Sequence, residues 1–312
     1  WAQVQLLMLR SLPIMVALSA TLAAAPPGSA PVRRTTAWIG ASESGLCQAT
    51  VKVEGKPSSV LRCLTASDSL LLLVVVDLTG DLTLITEARD ALSAQLAELP
   101  ANFWTSALSA QDGLHVLSDP GPDPSATVNA IRNARTTGAA GLLEAMEPAS
   151  KLASAILAKS PIRIAILHIS DSNIYGYRED YTNPVINYSD SRDLSRRFPD
   201  ALIRERTSKL AASLAGYDAP VYMVHLAYLR DRLNEAYQLG LRQAVEATGG
   251  SAYFCRSQAE IPSSISAALA RIRSHHALDF SLPKDLPRQF TIELLAPGLN
   301  PEFRSRFSLG QK

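Results

Sequence analysis

Seven consecutive Leu and Val residues, at positions 70–76, constrain the fold of this 312-residue chain more than any other feature. Such a run indicates a strand that is buried on both faces, as in the centre of a parallel sheet. Residues 162–169 form a second apolar run and residues 221–226 a third. The first run ends directly at Asp77 and the second closely precedes Asp171.

Helical patterns alternate with these strands through the middle of the chain. The predicted helices are 85–99, 126–134, 141–159, 203–214, 234–248 and 261–273, and the other predicted strands are 103–108, 114–117 and 251–255. Strands that alternate with helices predict an α/β fold, a doubly wound and mostly parallel sheet with helices on both faces.

Both ends of the chain have a different pattern. Short strands are predicted at 35–41, 47–53 and 59–64, with turns at Gly45 and at 54–57, and again at 277–280, 289–295 and 303–308. The two ends are therefore predicted to form one small β-region, into which the α/β part is inserted. The predicted organisation is a signal peptide at 1–25, a linker at 26–34, the β-region at 35–65 and 277–312, and the α/β domain at 66–276.

The first residues indicate export. Arg10 precedes an apolar run at 12–22 and three alanines at 23–25, which is typical of a signal peptide. The run is shorter than the roughly 20 residues that a membrane-spanning helix needs. We expect a secreted or periplasmic protein with no transmembrane span beyond an uncleaved signal anchor; the alternative is a buried apolar helix.

The cysteine content agrees in part with an exported protein, in which cysteines commonly form disulfides. Cys47 and Cys63 lie in neighbouring predicted strands and are able to pair, which leaves Cys255 over. The alternative is three buried free thiols.

Charge composition argues against one class of partner. The chain has 30 Lys and Arg against 29 Asp and Glu, a formal net charge of +1, and no cluster of five or more basic residues. Nucleic acid is therefore not expected as a partner.

Acidic and hydroxyl side chains follow the buried strands. Asp77, Thr79 and Asp81 alternate after the first strand, and Asp171 follows the second. Carboxyl ends of parallel strands share one edge of the sheet, where ligands gather. An oxygen-only set of this kind predicts Mg²⁺, Ca²⁺ or Mn²⁺. The alternative is that Asp77 and Asp171 only cap the turns and helices that follow them.

These motifs carry a family resemblance. The Val-rich strand with Asp-Leu-Thr-Gly-Asp at 77–81 resembles the metal-ion-dependent adhesion site of von Willebrand factor type A (VWA) domains, whose pattern is Asp-x-Ser/Thr-x-Ser. AILHISD at 165–171 is similar to the family's fourth strand, and LRQAVEATGGSAYF at 241–254 resembles its closing helix and edge strand. Segments 276–280, 297–299 and 304–306 resemble an exported bacterial VWFA-related subgroup. The resemblance runs from about residue 33 to the end.

The resemblance implies a non-enzymatic module that binds a protein or matrix partner, whose carboxylate completes the metal shell. Asp77, Thr79, Asp81 and Asp171 would be metal ligands. Three departures concern this site: Asp81 stands where Ser is usual, Ser172 where Gly is usual, and Ala140 aligns with the family's third-loop Thr. Thr137 is the expected substitute for that Thr.

Two other functions are alternatives to a binding module of this kind. A metal-free structural module would dock another protein through a sheet edge or helix face. An aspartate-nucleophile phosphatase also begins with a strand that ends in Asp, but it needs a second Asp at the position of Thr79.

The loop after Asp171 is rich in tyrosine, with Tyr175, Tyr177, Tyr181 and Tyr188. These side chains form either a binding surface or the anchors of an insertion that packs on its own domain. His168 lies within the apolar strand and is predicted to be a core histidine with satisfied hydrogen bonds.

Overall fold

A computed structural model describes residues 31–38, 45–179, 181 and 199–309. The predicted signal peptide, most of the linker and Tyr188 lie outside these residues. From Val32 onward the chain forms one compact unit. Among the described residues, none of the helices combines the length and apolar character that crossing a bilayer requires.

The elements of the described residues are numbered in chain order. The strands are β1 (Val32–Trp38), β2 (Thr50–Val53), β3 (Lys56–Ser58), β4 (Val60–Leu64), β5 (Leu70–Asp77), β6 (Phe103–Ser109), β7 (His115–Val116), β8 (Arg163–Ser170), β9 (Val221–His225), β10 (Ala252–Phe254), β11 (His276–Ser281), β12 (Gln289–Leu295), β13 (Glu302–Phe303) and β14 (Arg306–Ser308). The α-helices are α1 (Leu82–Ala97), α2 (Pro124–Arg132), α3 (Leu142–Leu157), α4 (Pro199–Leu214), α5 (Arg232–Glu246) and α6 (Ile261–Ser274).

The central sheet has the strand order β10-β9-β8-β5-β6-β7. All its pairings are parallel except that between β6 and β7. Every residue of β5 and β8 is buried. Because β5 lies between β8 and β6, the uninterrupted Leu and Val run has helices over both of its faces. The predicted doubly wound α/β fold is confirmed.

Alternate residues of β5 belong to two separate cores. Leu73 and Val75 pack in the core that includes Met146 of α3. Leu72 and Val74 pack on the opposite face, in the core that includes residues of α1 and α6. This division follows from the two-residue period of a strand, which turns successive side chains to opposite faces.

Strands from the two ends of the described chain pair with each other, as predicted. One four-stranded sheet has the order β13-β1-β11-β4 and the other has the order β14-β12-β2-β3. A third core, with Phe280, Phe290 and Phe307 among its members, lies in this β-region. The exact domain limits given above stay a prediction.

Three details of the β-region differ from the sequence prediction. Lys56–Ser58 forms the edge strand β3, because Glu54 and Gly55 both take positive φ and close a tight hairpin. Residues 46–48 form a 3-10 turn and not the start of a strand. The predicted strand 303–308 is two short strands separated by buried Arg304, whose guanidinium donates to the carbonyls of Ala215 and Tyr217.

Cys47 and Cys63 form a disulfide, with their Cα atoms 5.4 Å apart. It joins the 3-10 turn to β4. Cys255 is a buried free thiol. The sequence left two alternatives open, and the structure has the Cys47–Cys63 pair and not three free thiols.

Candidate functional site

Asp77 and Asp171 lie at the carboxyl ends of neighbouring strands. β5 pairs with β8 up to the pair Asp77 and Ser170. The amide of Asp171 donates to the carbonyl oxygen of Asp77 at 3.2 Å. The two acids that the sequence predicts at one edge of the sheet are therefore adjacent.

The Asp77 carboxylate is fully buried against the start of α3. Its Oδ1 accepts the amide hydrogen of Gly141 at 3.2 Å, and its Oδ2 accepts that of Leu142 at 3.1 Å. The Ser170 hydroxyl also donates to Oδ2, at 3.3 Å. A Cβ at position 141 would lie 1.8 Å from the carbonyl oxygen of Ala110, so glycine is required where this loop packs against that backbone. Burial raises the pKa of Asp77 to about 6, against the lowering effect of the hydrogen bonds from Gly141 and Leu142.

The Asp171 carboxylate is nearly as buried and binds the loop that follows β5. Its Oδ1 accepts from the Thr79 amide and its Oδ2 from the Gly80 amide, both at 2.7 Å. Burial raises the pKa of Asp171 above its usual value, while the two amides lower it. Thr79 therefore contacts Asp171 through its backbone.

The other predicted ligands have different surroundings. Asp81 is exposed and caps α1, with its Oδ1 accepting from the Thr83 amide at 2.7 Å. Thr137 is exposed, and no hydrogen bond among the described residues joins it to Asp77 or Asp171. Ala140 is buried beside Gly141, so a methyl group lies where the resemblance implies a hydroxyl.

The hydrogen bonds of these side chains bear on the predicted cation site. In the described part of the chain, no group of three or more Asp, Glu, His or Cys side chains is placed to hold a metal ion. Each oxygen of Asp77 and Asp171 already accepts a backbone amide hydrogen. The two carboxylates thus connect distant loops to the ends of strands, and by these bonds neither caps the turn or helix that directly follows it, which is what the capping alternative expected. The predicted Mg²⁺ site stays a prediction.

A buried hydrogen-bond network lies next to Asp77. The Ser170 and Ser172 hydroxyls are 2.8 Å apart, Ser172 Oγ is 3.1 Å from the Tyr237 hydroxyl, and the latter is 2.7 Å from the Tyr177 hydroxyl. Sequence reasoning found the unusual Ser172 but not its contact with Tyr237, since no local pattern in α5 points to it. The network extends the polar environment of Asp77 into the core.

The tyrosines of this loop differ in role. Tyr177 and Tyr181 are buried, their rings meet edge to face, and the Tyr181 hydroxyl donates to Glu144. These two anchor the loop on its own domain. The Tyr175 side chain is 61% exposed, and its hydroxyl donates to Asp231 at 3.0 Å.

His168 departs from its predicted environment. It is fully buried, but neither ring nitrogen has a hydrogen-bond partner within the described part of the chain. The prediction of a satisfied core histidine is wrong, because the ring is directed into an apolar core. Burial lowers its pKa to about 3.

No protein-family model matches the sequence, and no curated protein matches it. Among solved structures, the fold is similar to the PilB minor pilin from Streptococcus sanguinis, with a TM-score of 0.45 and 12% identity over 69% of this chain and 63% of that one. This chain thus spans less than two thirds of the pilin. A vWF domain of the type V pili tip protein Mfa5 from Porphyromonas gingivalis gives a TM-score of 0.42 and 14% identity, covering 67% and 96%.

A von Willebrand factor type A structure from Catenulispora acidiphila covers 90% of this chain and 73% of its own, with 8% identity and a TM-score of 0.42. The doubly wound α/β fold of this chain rests on its own strand order, and these structures are what it is similar to. At these identities the likeness concerns the fold alone.

A pair of arginines at the carboxyl edge of the central sheet was not found from sequence. Arg178 Nη2 lies 2.8 Å from Asp112 Oδ1, and Arg135 Nη2 lies 3.9 Å from Asp112 Oδ2. The buried Gln111 side chain donates to the carbonyl oxygens of Leu78 and Arg135, at 3.0 and 3.1 Å. Gln111 therefore connects the loop after β5 to the loop that carries Arg135. Isolated charges in loops have no periodic pattern, so nothing in the sequence pointed to this cluster.

Proposed function

We propose that this chain is an exported, non-enzymatic module that binds a protein or matrix partner through its carboxyl-edge loops. These loops are defined as residues 78–81, 110–114, 133–141 and 171–179. The observation that carries the proposal is the bonding of Asp77 and Asp171 to backbone amides of other loops. A set of loops fixed in this way presents a preorganised surface, which lowers the entropic cost of binding.

Exposed apolar and aromatic side chains at this edge support a binding role. Tyr175 is 61% exposed, and Leu82, which directly follows Asp81, is 65% exposed. Tyrosine is enriched in protein interfaces because it combines a large contact area with a polar end. Tyr175 on a carboxyl-edge loop and Leu82 at the start of α1, directly after another such loop, favour contact with a partner there.

The disulfide supports export. Bonds of this kind persist in oxidising compartments and are rare in the cytosol. Together with the predicted signal peptide, the Cys47–Cys63 bond favours a secreted or periplasmic location.

Capture of a partner from the cell-envelope or extracellular fraction tests the binding role. We expect Tyr175→Ala and Leu82→Ser to lose capture. Leu61→Ser is the matched control, since Leu61 is 55% exposed but lies on β4 in the β-region. Equal capture by all three variants would contradict the proposal.

The enzyme alternative has a direct test. A nucleophilic aspartate must be reached by its substrate, whereas Asp77 is fully buried and hydrogen-bonded. We expect no turnover of p-nitrophenyl phosphate. Turnover that disappears in Asp77→Asn would overturn the non-enzymatic assignment.

Binding of a Mg²⁺, Ca²⁺ or Mn²⁺ ion is the second function that we consider for this edge of the sheet. Asp81 favours it, because the side chain is exposed and, as far as the described residues show, hydrogen-bonded only through Oδ1. An ion beside Asp81 and Asp171 would be completed by a carboxylate of the partner. Calorimetric titration with each ion decides the matter: flat traces support metal-free binding, and heat that is lost in Asp81→Ala supports the cation.

A further inference from the structure

Two arginines from separate carboxyl-edge loops converge on a single carboxylate. Arg135 and Arg178 both pair with Asp112, at 3.9 and 2.8 Å. Their side chains are 74% and 77% exposed, whereas that of Asp112 is 23% exposed. We name these three residues the arginine rim. Because it contains two arginines and one aspartate, its net charge is positive.

Three other acidic side chains of the described residues at this edge already have partners. Glu179 pairs with Arg206 at 2.8 Å, and Asp171 accepts two amides. Asp231 accepts from the amides of α5 and from Tyr175. Among the described residues, Arg135 and Arg178 have ion pairs with Asp112 alone. The excess positive charge is therefore available to a ligand.

The backbone that carries the rim is fixed on both sides. Gln111 bonds the Arg135 carbonyl, and the Ala140 amide donates to the Gly176 carbonyl at 2.9 Å, which joins the loop of Arg135 to that of Arg178. Gly138 has a φ of 131° and comes so close to Asp112 that a Cβ would lie 3.0 Å from Oδ2. The guanidinium groups are thus held near each other before any ligand binds.

From this geometry we infer that the arginine rim binds carboxylates of an acidic segment of the partner. Guanidinium groups bind carboxylates through paired, charge-assisted hydrogen bonds. Exposed ion pairs are weak, so the exchange of Asp112 for a carboxylate of the partner costs little. The inference rests on the proposed function and adds the partner's chemistry: recognition is by arginine and needs no metal ion.

Fluorescence anisotropy with a labelled hexaglutamate peptide tests the inference, in EDTA and at low ionic strength. We expect the wild type to bind and the double variant Arg135→Gln/Arg178→Gln to bind at least about tenfold more weakly. Arg204→Gln is the matched control, because Arg204 is an exposed arginine of α4 that pairs with Asp200. Its affinity should equal that of the wild type.

Asp112→Asn provides a second, opposite readout. Asp112 has a φ of 57°, a conformation that asparagine also tolerates, so the turn is retained while the competing charge is removed. We expect this variant to bind hexaglutamate about three- to tenfold more tightly than the wild type. A purely structural role of Asp112 would not tighten binding.

Several results would overturn the inference. They are equal affinity of the double variant and the wild type, an equal loss in Arg204→Gln, weaker binding by Asp112→Asn, or binding that requires Mg²⁺. If hexaglutamate fails while Tyr175→Ala still loses partner capture, the arginine rim is refuted and the proposed function stands. If the rim binds hexaglutamate while Tyr175 and Leu82 have no effect on capture, the proposed function fails separately.

Discussion

Asp77, the last residue of β5, accepts the amide hydrogen of Leu142, the first residue of α3, at 3.1 Å. The residue that precedes the helix, Gly141, has no side chain to cap it, and its amide also donates to Asp77. A side chain from the centre of the sheet therefore supplies the cap of α3. This contact holds residues 133–141 at the carboxyl edge, where Arg135 lies.

The cap predicts a large loss of stability in Asp77→Ala. The amides of Gly141 and Leu142 would remain buried without acceptors, which costs about 2–3 kcal/mol. Asp81→Ala removes the exposed cap of α1 and should cost about 1 kcal/mol. Urea denaturation of the wild type and both variants at one fixed pH measures the two losses in free energy of unfolding. Equal losses in the two variants would contradict the buried cap.

Asp77 also predicts a pH dependence. Its pKa is raised from 3.8 to about 6 by burial, so the folded state binds this proton more tightly than the unfolded state does. The resulting stabilisation is complete below about pH 4 and is lost as the pH rises through about 6. Full loss corresponds to about 3 kcal/mol.

Asp77→Asn isolates this effect, because it keeps the shape of the side chain but does not titrate. We expect the difference in unfolding free energy between wild type and Asp77→Asn to shift in favour of the variant from about pH 4 to about pH 7. Urea midpoints across this range measure it, and titrating groups that do not interact with Asp77 cancel in the difference. A constant difference would show that the Asp77 pKa is not raised.

The fold was predictable where burial leaves a clear hydrophobic pattern in the sequence, either a continuous run or a regular spacing. The Leu and Val run of β5 has to lie between two layers, and the helices of the α/β part follow from their apolar spacing. The β-region was predicted less well, because contacts between residues that are distant in sequence determine where its short strands begin and end. Buried Arg304 separates β13 from β14 by donating to Ala215 and Tyr217, which are distant in sequence.

The site was predictable in position but not in contacts. The sequence placed Asp77 and Asp171 at adjacent strand ends, because parallel strands have to end at one edge. It could not tell whether their oxygens face an ion or backbone amides, since amides carry no sequence signal. Thr79 illustrates this: its side chain suggested a ligand, whereas its amide makes the contact with Asp171. The arginine rim depends on three loops whose relative positions only the fold determines.

The disulfide predicts a dependence on redox conditions. Cys47 and Cys63 are 16 residues apart, a loop length for which a cross-link stabilises the folded state by about 3 kcal/mol. We expect Cys47→Ser/Cys63→Ser to unfold at a lower temperature than the wild type. A thiol reductant should bring the wild type to the level of the variant and leave the variant unchanged. A wild type that does not respond to the reductant would contradict the bond.

His168 predicts a substitution that stabilises the protein. Its ring is fully buried with both nitrogens unpartnered, which costs about 1–3 kcal/mol, so His168→Leu should raise the free energy of unfolding. The gain should grow toward acid pH. Because the folded-state pKa is lowered from 6.5 to about 3, the unfolded wild type gains a proton first, and its stability falls as the pH drops below about 6.5.

His225→Leu is the matched control for His168→Leu, since both histidines are buried in the central sheet but differ in hydrogen bonding. His225 Nε2 lies 2.7 Å from the carbonyl oxygen of Ser172, so its replacement leaves that carbonyl without its partner and should destabilise the fold by about 1–3 kcal/mol. Thermal and urea denaturation between about pH 5 and about pH 7.5 compare the two variants with the wild type. Equal destabilisation by His168→Leu and His225→Leu at neutral pH would mean that His168 has a polar partner in solution. That result would contradict the burial of its ring in an apolar core.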